Sequence, residues 1–265
     1  CPHRSNIIPN IKLSSIFCII SSYNTCFLKS NTDLLQIIDF CELRKIIFEA
    51  IEVVEIYLRT QIAYYHSKSY DAFGYLDIKN LRENKQTEFD ELHQDILKEK
   101  ERSKEVFIRH FKTKYNITDL PIWTVVEIIS FGSLSKLFMI LKEKEQNEVI
   151  FCMGGINKVV FFKWFKALSS VRNACAHHSR LWNKTLGVSF EVPNNNEAFK
   201  ELSNSKNKIF FALSVIEYIL TCIGEEEIEF KTKIKVLLKK YPQVDVQKMG
   251  FIENWENNLI WSDNE

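Results

Sequence analysis

Seven glycines and five prolines punctuate 265 residues. Tight turns draw heavily on those two residue types, so a sheet built on frequent turns lacks its hinges here and long unbroken helices are expected. The apolar positions agree. Leu34, Leu35, Ile38, Ile46, Ile47, Ala50, Ile51, Val54, Leu58 and Ile62 recur mostly at spacings of three and four, which gathers them on one face of a helix. One long helix, or two with a bend, is expected to about residue 67, with Thr32 or Asp33 as its cap.

Later segments follow the same logic. A loop at 69–77 holds Gly74. Residues 80–115 are dense in charge, with a thin apolar stripe through Leu92, Ile96, Leu97, Val106, Ile108 and Phe111; a solvated helix or helix pair standing out from the core is expected. Pro121 suits the first turn of a helix that buries Trp123, Val126, Ile129 and Phe131. Ser133 is then placed to cap a fresh helix reaching Leu141, and Gly154-Gly155 ends the segment that follows. Further helices are expected at 157–181, at 197–223 before Gly224, and at 227–240 before Pro242. The aromatic tail at 249–261 should pack back on the body, because Trp255 and Trp261 are costly to expose. The expected fold class is all-α: a single-domain helical bundle with a projecting charged helical hairpin.

Composition narrows function. Thirty-five basic residues balance 34 acidic ones, so the whole chain is no polybasic nucleic-acid binder, and any RNA contact must come from a local patch. The seven cysteines are odd in number and form no CxxC pair, which reads as buried thiols in a reducing cytoplasm and not as a disulfide framework or zinc ribbon. Ile16–Ile20 is five residues long, too short to cross a bilayer. The chain starts with Cys1, and residues 1–30 are expected to form an atypical or truncated N-terminal segment ahead of a helical domain at 31–265.

Polarity concentrates abruptly after the apolar run Val159, Val160, Phe161, Phe162, Trp164, Phe165 and Leu168. Arg172, Asn173, His177, His178, Arg180 and Asn183 follow within twelve residues. Asn173 and His177 are four apart and share a helix face; Arg172 lies about 100° round from Asn173, within reach for a long side chain. Arginine and histidine without a carboxylate cluster suit cleavage of an RNA phosphodiester. Imidazole can take the 2′-hydroxyl proton near neutral pH, and a guanidinium can hold the negative charge that the phosphorane-like transition state gains. RNA supplies its own nucleophile, so neither a metal-activated water nor any other cofactor is required. Arg172, Asn173, His177 and His178 are the candidate catalytic residues, and Arg180 and Asn183 the candidate substrate contacts. The same residues also suit a simpler role, since His and Arg near a helix C-terminus stabilise its dipole and free carbonyls. A zinc site is disfavoured, because adjacent helical histidines diverge and no nearby Cys or Glu completes a ligand set.

The run Arg172-Asn173-x-Cys175-Ala176-His177-His178-x-Arg180-Leu181-Trp182-Asn183 resembles the hallmark of the Abi-like abortive-infection family. Asp39-Phe40, Leu43-Arg44, Ile51-Glu52 and Leu58-Arg59-Thr60 resemble its long first helix. Pro121-Ile122-Trp123, Glu127 and Ser130–Ser135 resemble its second block, and Met249-Gly250-Phe251, Asn254-Trp255 and Trp261 its C-terminal signature. That family is similar to the HEPN superfamily, in which an Arg-x4–6-His motif forms a ribonuclease centre across a twofold dimer. The resemblance implies a HEPN-like helical fold and a metal-independent endoribonuclease toxin that arrests growth after phage infection. Arg172 matches with His177 or, equally by spacing, with His178. It also implies an RNA substrate, a homodimer, and an antitoxin or noncoding RNA as partner. A noncatalytic RNA- or protein-binding module of the same fold, acting as regulator or scaffold, is the alternative.

Overall fold

A computed structural model describes residues 31–108, 119–151 and 153–263, with side chains from residue 41 onward. The expectations for residues 1–30, and for a second charged arm reaching residue 115, lie wholly or largely outside the described residues. The described residues are mostly helical and contain no strand; among them a single antiparallel bridge joins Leu81 and Leu141. The all-α, single-domain expectation holds.

Helix α1, Asn31–Tyr70, is continuous. Leu43, Ile47, Ala50, Ile51, Val54, Leu58 and Ile62 on its inner face are all buried. Around it come α2 Gln86–Arg102, α3 Ile122–Ile128, α4 Phe131–Ile140, α5 Glu143–Phe151, α6 Lys158–Ala176, α7 Glu197–Glu201, α8 Ile209–Ile223 and α9 Phe230–Lys240. Helices α3, α5, α6, α8 and α9 pack on α1, while α4 bridges α2 and α6.

Several boundaries differ from the sequence reading, each for a visible reason. The cap of α4 is Ser130, whose side chain accepts from the Ser133 amide at 3.0 Å. Ser133 Oγ instead donates to Asp95 on α2 at 2.9 Å, and Lys136 pairs with the same carboxylate at 3.1 Å. Those ties and the buried Leu92 and Ile96 lay α2 along α4, so this part of the charged stretch lies on the body and does not project from it. Residues 197–223 are not one helix: α7 ends at Glu201, and a 3-10 turn at Ser203–Ser205 precedes α8. Gly224 ends α8 in the left-handed conformation, φ 76°, where a glycine carries no Cβ penalty.

The aromatic tail packs back as its composition demands. Trp261 is fully buried, and its Nε1 donates to Ser214 Oγ at 2.8 Å. Phe210 stacks on Phe251 at 4.0 Å between centroids. Gly250 makes the approach possible: at φ 94°, a Cβ there would stand 2.5 Å from Lys208 Cβ.

Candidate functional site

Helix α6 starts at a cap, Asn157, whose side chain accepts from the Val159 amide at 2.8 Å. Its apolar face, with Phe161, Trp164, Phe165, Leu168 and Val171, is buried, and this fixes how the polar end emerges. The helix stops at Ala176, short of the expected end near Leu181. His178 N–H donates to Cys175 C=O at 3.1 Å and Ser179 N–H to Ala174 C=O at 2.8 Å. This pair of bonds is a Schellman stop, with His178 in the left-handed position, φ 55°. Glycine usually fills that position, and its absence is why the spacing reads as continuing helix. Asn183 is also left-handed, φ 49°.

The six candidate residues divide into two groups. Asn173, His177, His178, Arg180 and Asn183 are exposed, and their side chains make no hydrogen bond or ion pair with another described residue. Arg172 turns inward to α1. Its guanidinium lies 5.5 Å from the centre of the Phe48 ring, and its Nε is 3.4 Å from Glu55 Oε2. That Nε is sealed from solvent without hydrogen-bond alignment, yet the side chain as a whole is 35% exposed, so the open part is the far end of the fork. No described hydrogen bond or ion pair joins Arg172 to either histidine.

Glu55 is the hub that sequence spacing missed. It is buried, and Arg59 donates to its Oε1. Arg59 also donates to the carbonyls of Val126 and Ile129, the latter at 3.0 Å. One carboxylate thereby joins α1, α3 and α6. Glu52 and Glu127, which belong to the resembling blocks, are exposed and form no ion pair among the described residues. Trp123, expected in the core, is 51% exposed.

Cys175 sits under the end of α6. Burial pushes its thiol up to about 11, while the positive charges of Arg44 and Lys184 pull the other way. Arg44 and Lys184 thus stand near this end of the helix, while the charge of Arg172 is met by Glu55. A protonated, buried thiol is a poor nucleophile. At pH 8, iodoacetamide should label exposed Cys41 readily and leave Cys175 unlabelled until the protein unfolds, as read by peptide mass spectrometry. Early labelling of Cys175 would mean that the end of α6 opens.

Among the described residues, no group of three His, Cys, Asp or Glu is arranged to hold a metal ion, and no helix is long and apolar enough to cross a membrane. A cavity of about 610 Å³, lined by Gly154, Asn157, Glu191, Asn195 and Tyr218 among others, lies at the opposite end of α6.

A family model described as Abi-like protein matches residues 12–183. The match includes all six candidate residues and part of the segment expected to be atypical, 12–30. It ends before the tail at 249–261. No curated protein and no solved structure matches the chain.

Proposed function

The chain belongs to the Abi-like family, and from that premise and the end of α6 we propose that it is a metal-independent endoribonuclease acting in abortive infection, as a homodimer. The observation that carries the reading is the split at the end of α6. Arg172 is held from behind by Glu55 and Phe48 with the rest of its fork open, while His177 and His178 stand unpartnered in solvent just beyond the helix. A phosphate docking on Arg172 is the natural bridge between them.

In the proposed reaction one imidazole removes the 2′-hydroxyl proton, and O2′ attacks phosphorus. The bond from phosphorus to O5′ breaks, and a second imidazole protonates that oxygen. Arg172 holds the charge on the non-bridging oxygens, where a planar guanidinium donates two hydrogen bonds at once. The products are a 2′,3′-cyclic phosphate and a 5′-hydroxyl. Asn173, Arg180 and Asn183 hold the strand.

The test is cleavage of single-stranded RNA by the purified chain in excess EDTA. The expected result is 2′,3′-cyclic phosphate ends, with DNA of the same sequence untouched because it lacks the attacking hydroxyl. A folded chain that binds RNA without cutting it would favour a binding module, a reading to which the Glu55–Arg172 pair lends itself. Ends that lack a cyclic phosphate or its hydrolysis product would reject the mechanism.

A further inference from the structure

Arg172 brings less charge to the end of α6 than its guanidinium alone would supply. Glu55 is its carboxylate partner, a carboxylate that Arg59 shares. An RNA strand meeting this end needs a cation that the fold has not already matched. Arg44 on α1 is such a cation. It is half-buried. Among the described residues it forms no ion pair, and its one hydrogen bond is to Cys41 Sγ at 3.1 Å.

The layout of α1 explains why no acid reaches it. Glu42 and Glu49 lie about 140–160° round the helix from Arg44 by helical pitch, and α9 takes both of them. Lys240 pairs with Glu42 at 2.8 Å and Lys233 with Glu49 at 3.1 Å. Arg44 instead shares a stripe of α1, within about 40°, with Phe48 and Glu55, the two residues that hold Arg172. Its positive charge also acts on Cys175, close to the end of α6. Passing from Arg172 to Cys175 along α6 therefore means passing from Glu55 to Arg44 along α1. The two helices run in opposite directions, and the Arg44 turn lies beside the stretch that continues into His177 and His178. Lys184, half-buried and in no described ion pair, acts on the same thiol.

We propose that Arg44 is a further phosphate-binding residue of this site, gripping a phosphate of the RNA strand next to the one that Arg172 holds. The proposal rests on the RNA reading above and adds to it a residue from α1. The surroundings give the two arginines different work. Arg172, braced by Glu55 and Phe48, is fixed in place for the reacting phosphate. Arg44 is held by a thiol alone, so it can follow a flexible strand, and no carboxylate offsets its charge. Its fork presents paired donors to the non-bridging oxygens, and a guanidinium sheds water more readily than an ammonium.

The probe is a single-stranded RNA oligonucleotide with 2′-O-methyl riboses, which keeps every phosphate and has no hydroxyl to attack. Its binding to the full chain is read by fluorescence anisotropy over a range of salt. Arg44→Ala should weaken binding by about tenfold, the usual loss with one hydrogen-bonded charge. It should also lower the slope of log affinity against log salt by about 0.7, the share of one phosphate on a single strand. Arg44→Lys should keep that slope, because it keeps the charge. Lys239→Ala, which removes an exposed charge from α9, should change neither. Thermal midpoints should match wild type, since Arg44→Ala gives up only the bond to Cys41. An unchanged slope in Arg44→Ala, an equal drop in Lys239→Ala, or a wild type that does not bind the strand would overturn the proposal. Cleavage of unmodified RNA by the same samples is a separate readout: binding without cutting counts against the ribonuclease alone.

Discussion

Arg172→Ala is expected to lower RNA cleavage by about two to three orders of magnitude, the usual cost of removing one donor that stabilises a developing oxyanion. Arg172→Lys should not restore it, because an ammonium is a point charge without the paired donors of a guanidinium. His177→Ala should fall by about two orders or more, as expected on loss of a general acid or base. The structure separates this role from a purely architectural one. Glu55 keeps Arg59 as a partner when Arg172 is removed, so the fold should survive with a nearly unchanged thermal midpoint. If Arg172 served only to knit α6 to α1, the opposite pattern would appear: lower stability, with undiminished cleavage per folded molecule.

The largest expected effect on stability belongs to Trp261→Ala. The indole is fully buried, lies 5.3 Å from the Trp255 ring centre and 5.6 Å from that of Phe210, and donates to Ser214. Truncation empties a large volume that the surrounding helices cannot collapse into, and such changes cost about 3–5 kcal/mol. The denaturation midpoint in urea reads it directly. Trp261→Phe should cost less, since most of the packing remains and Ser214 Oγ still donates to the Phe210 carbonyl at 3.0 Å. A loss below about 1 kcal/mol for Trp261→Ala, a value typical of surface positions, would show that the tail adds little to the core.

The tail and α1 were legible in the sequence because their information is local or compositional. A stripe at spacings of three and four has one helical solution, and two tryptophans in a short segment must find cover. The end of α6 was not legible. His178 is compatible with a helix and with a left-handed stop, and only the observed pair of Schellman bonds distinguishes them. Trp123 was misplaced for a related reason: its spacing fits the buried face of α3, but the side chain falls at the margin where α3 meets α1.

The sequence by itself determined that this protein is helical, which residue types cluster after the apolar run of α6, and that the cluster suits phosphate chemistry. All of these follow from the identity and spacing of near neighbours. Only the tertiary structure decided that Arg172 leans on α1, that Glu55 and Phe48 hold it there, and that no described bond joins it to His177 or His178. Those outcomes depend on which helix faces meet. A contact between segments far apart in the chain leaves no periodic trace in either of them.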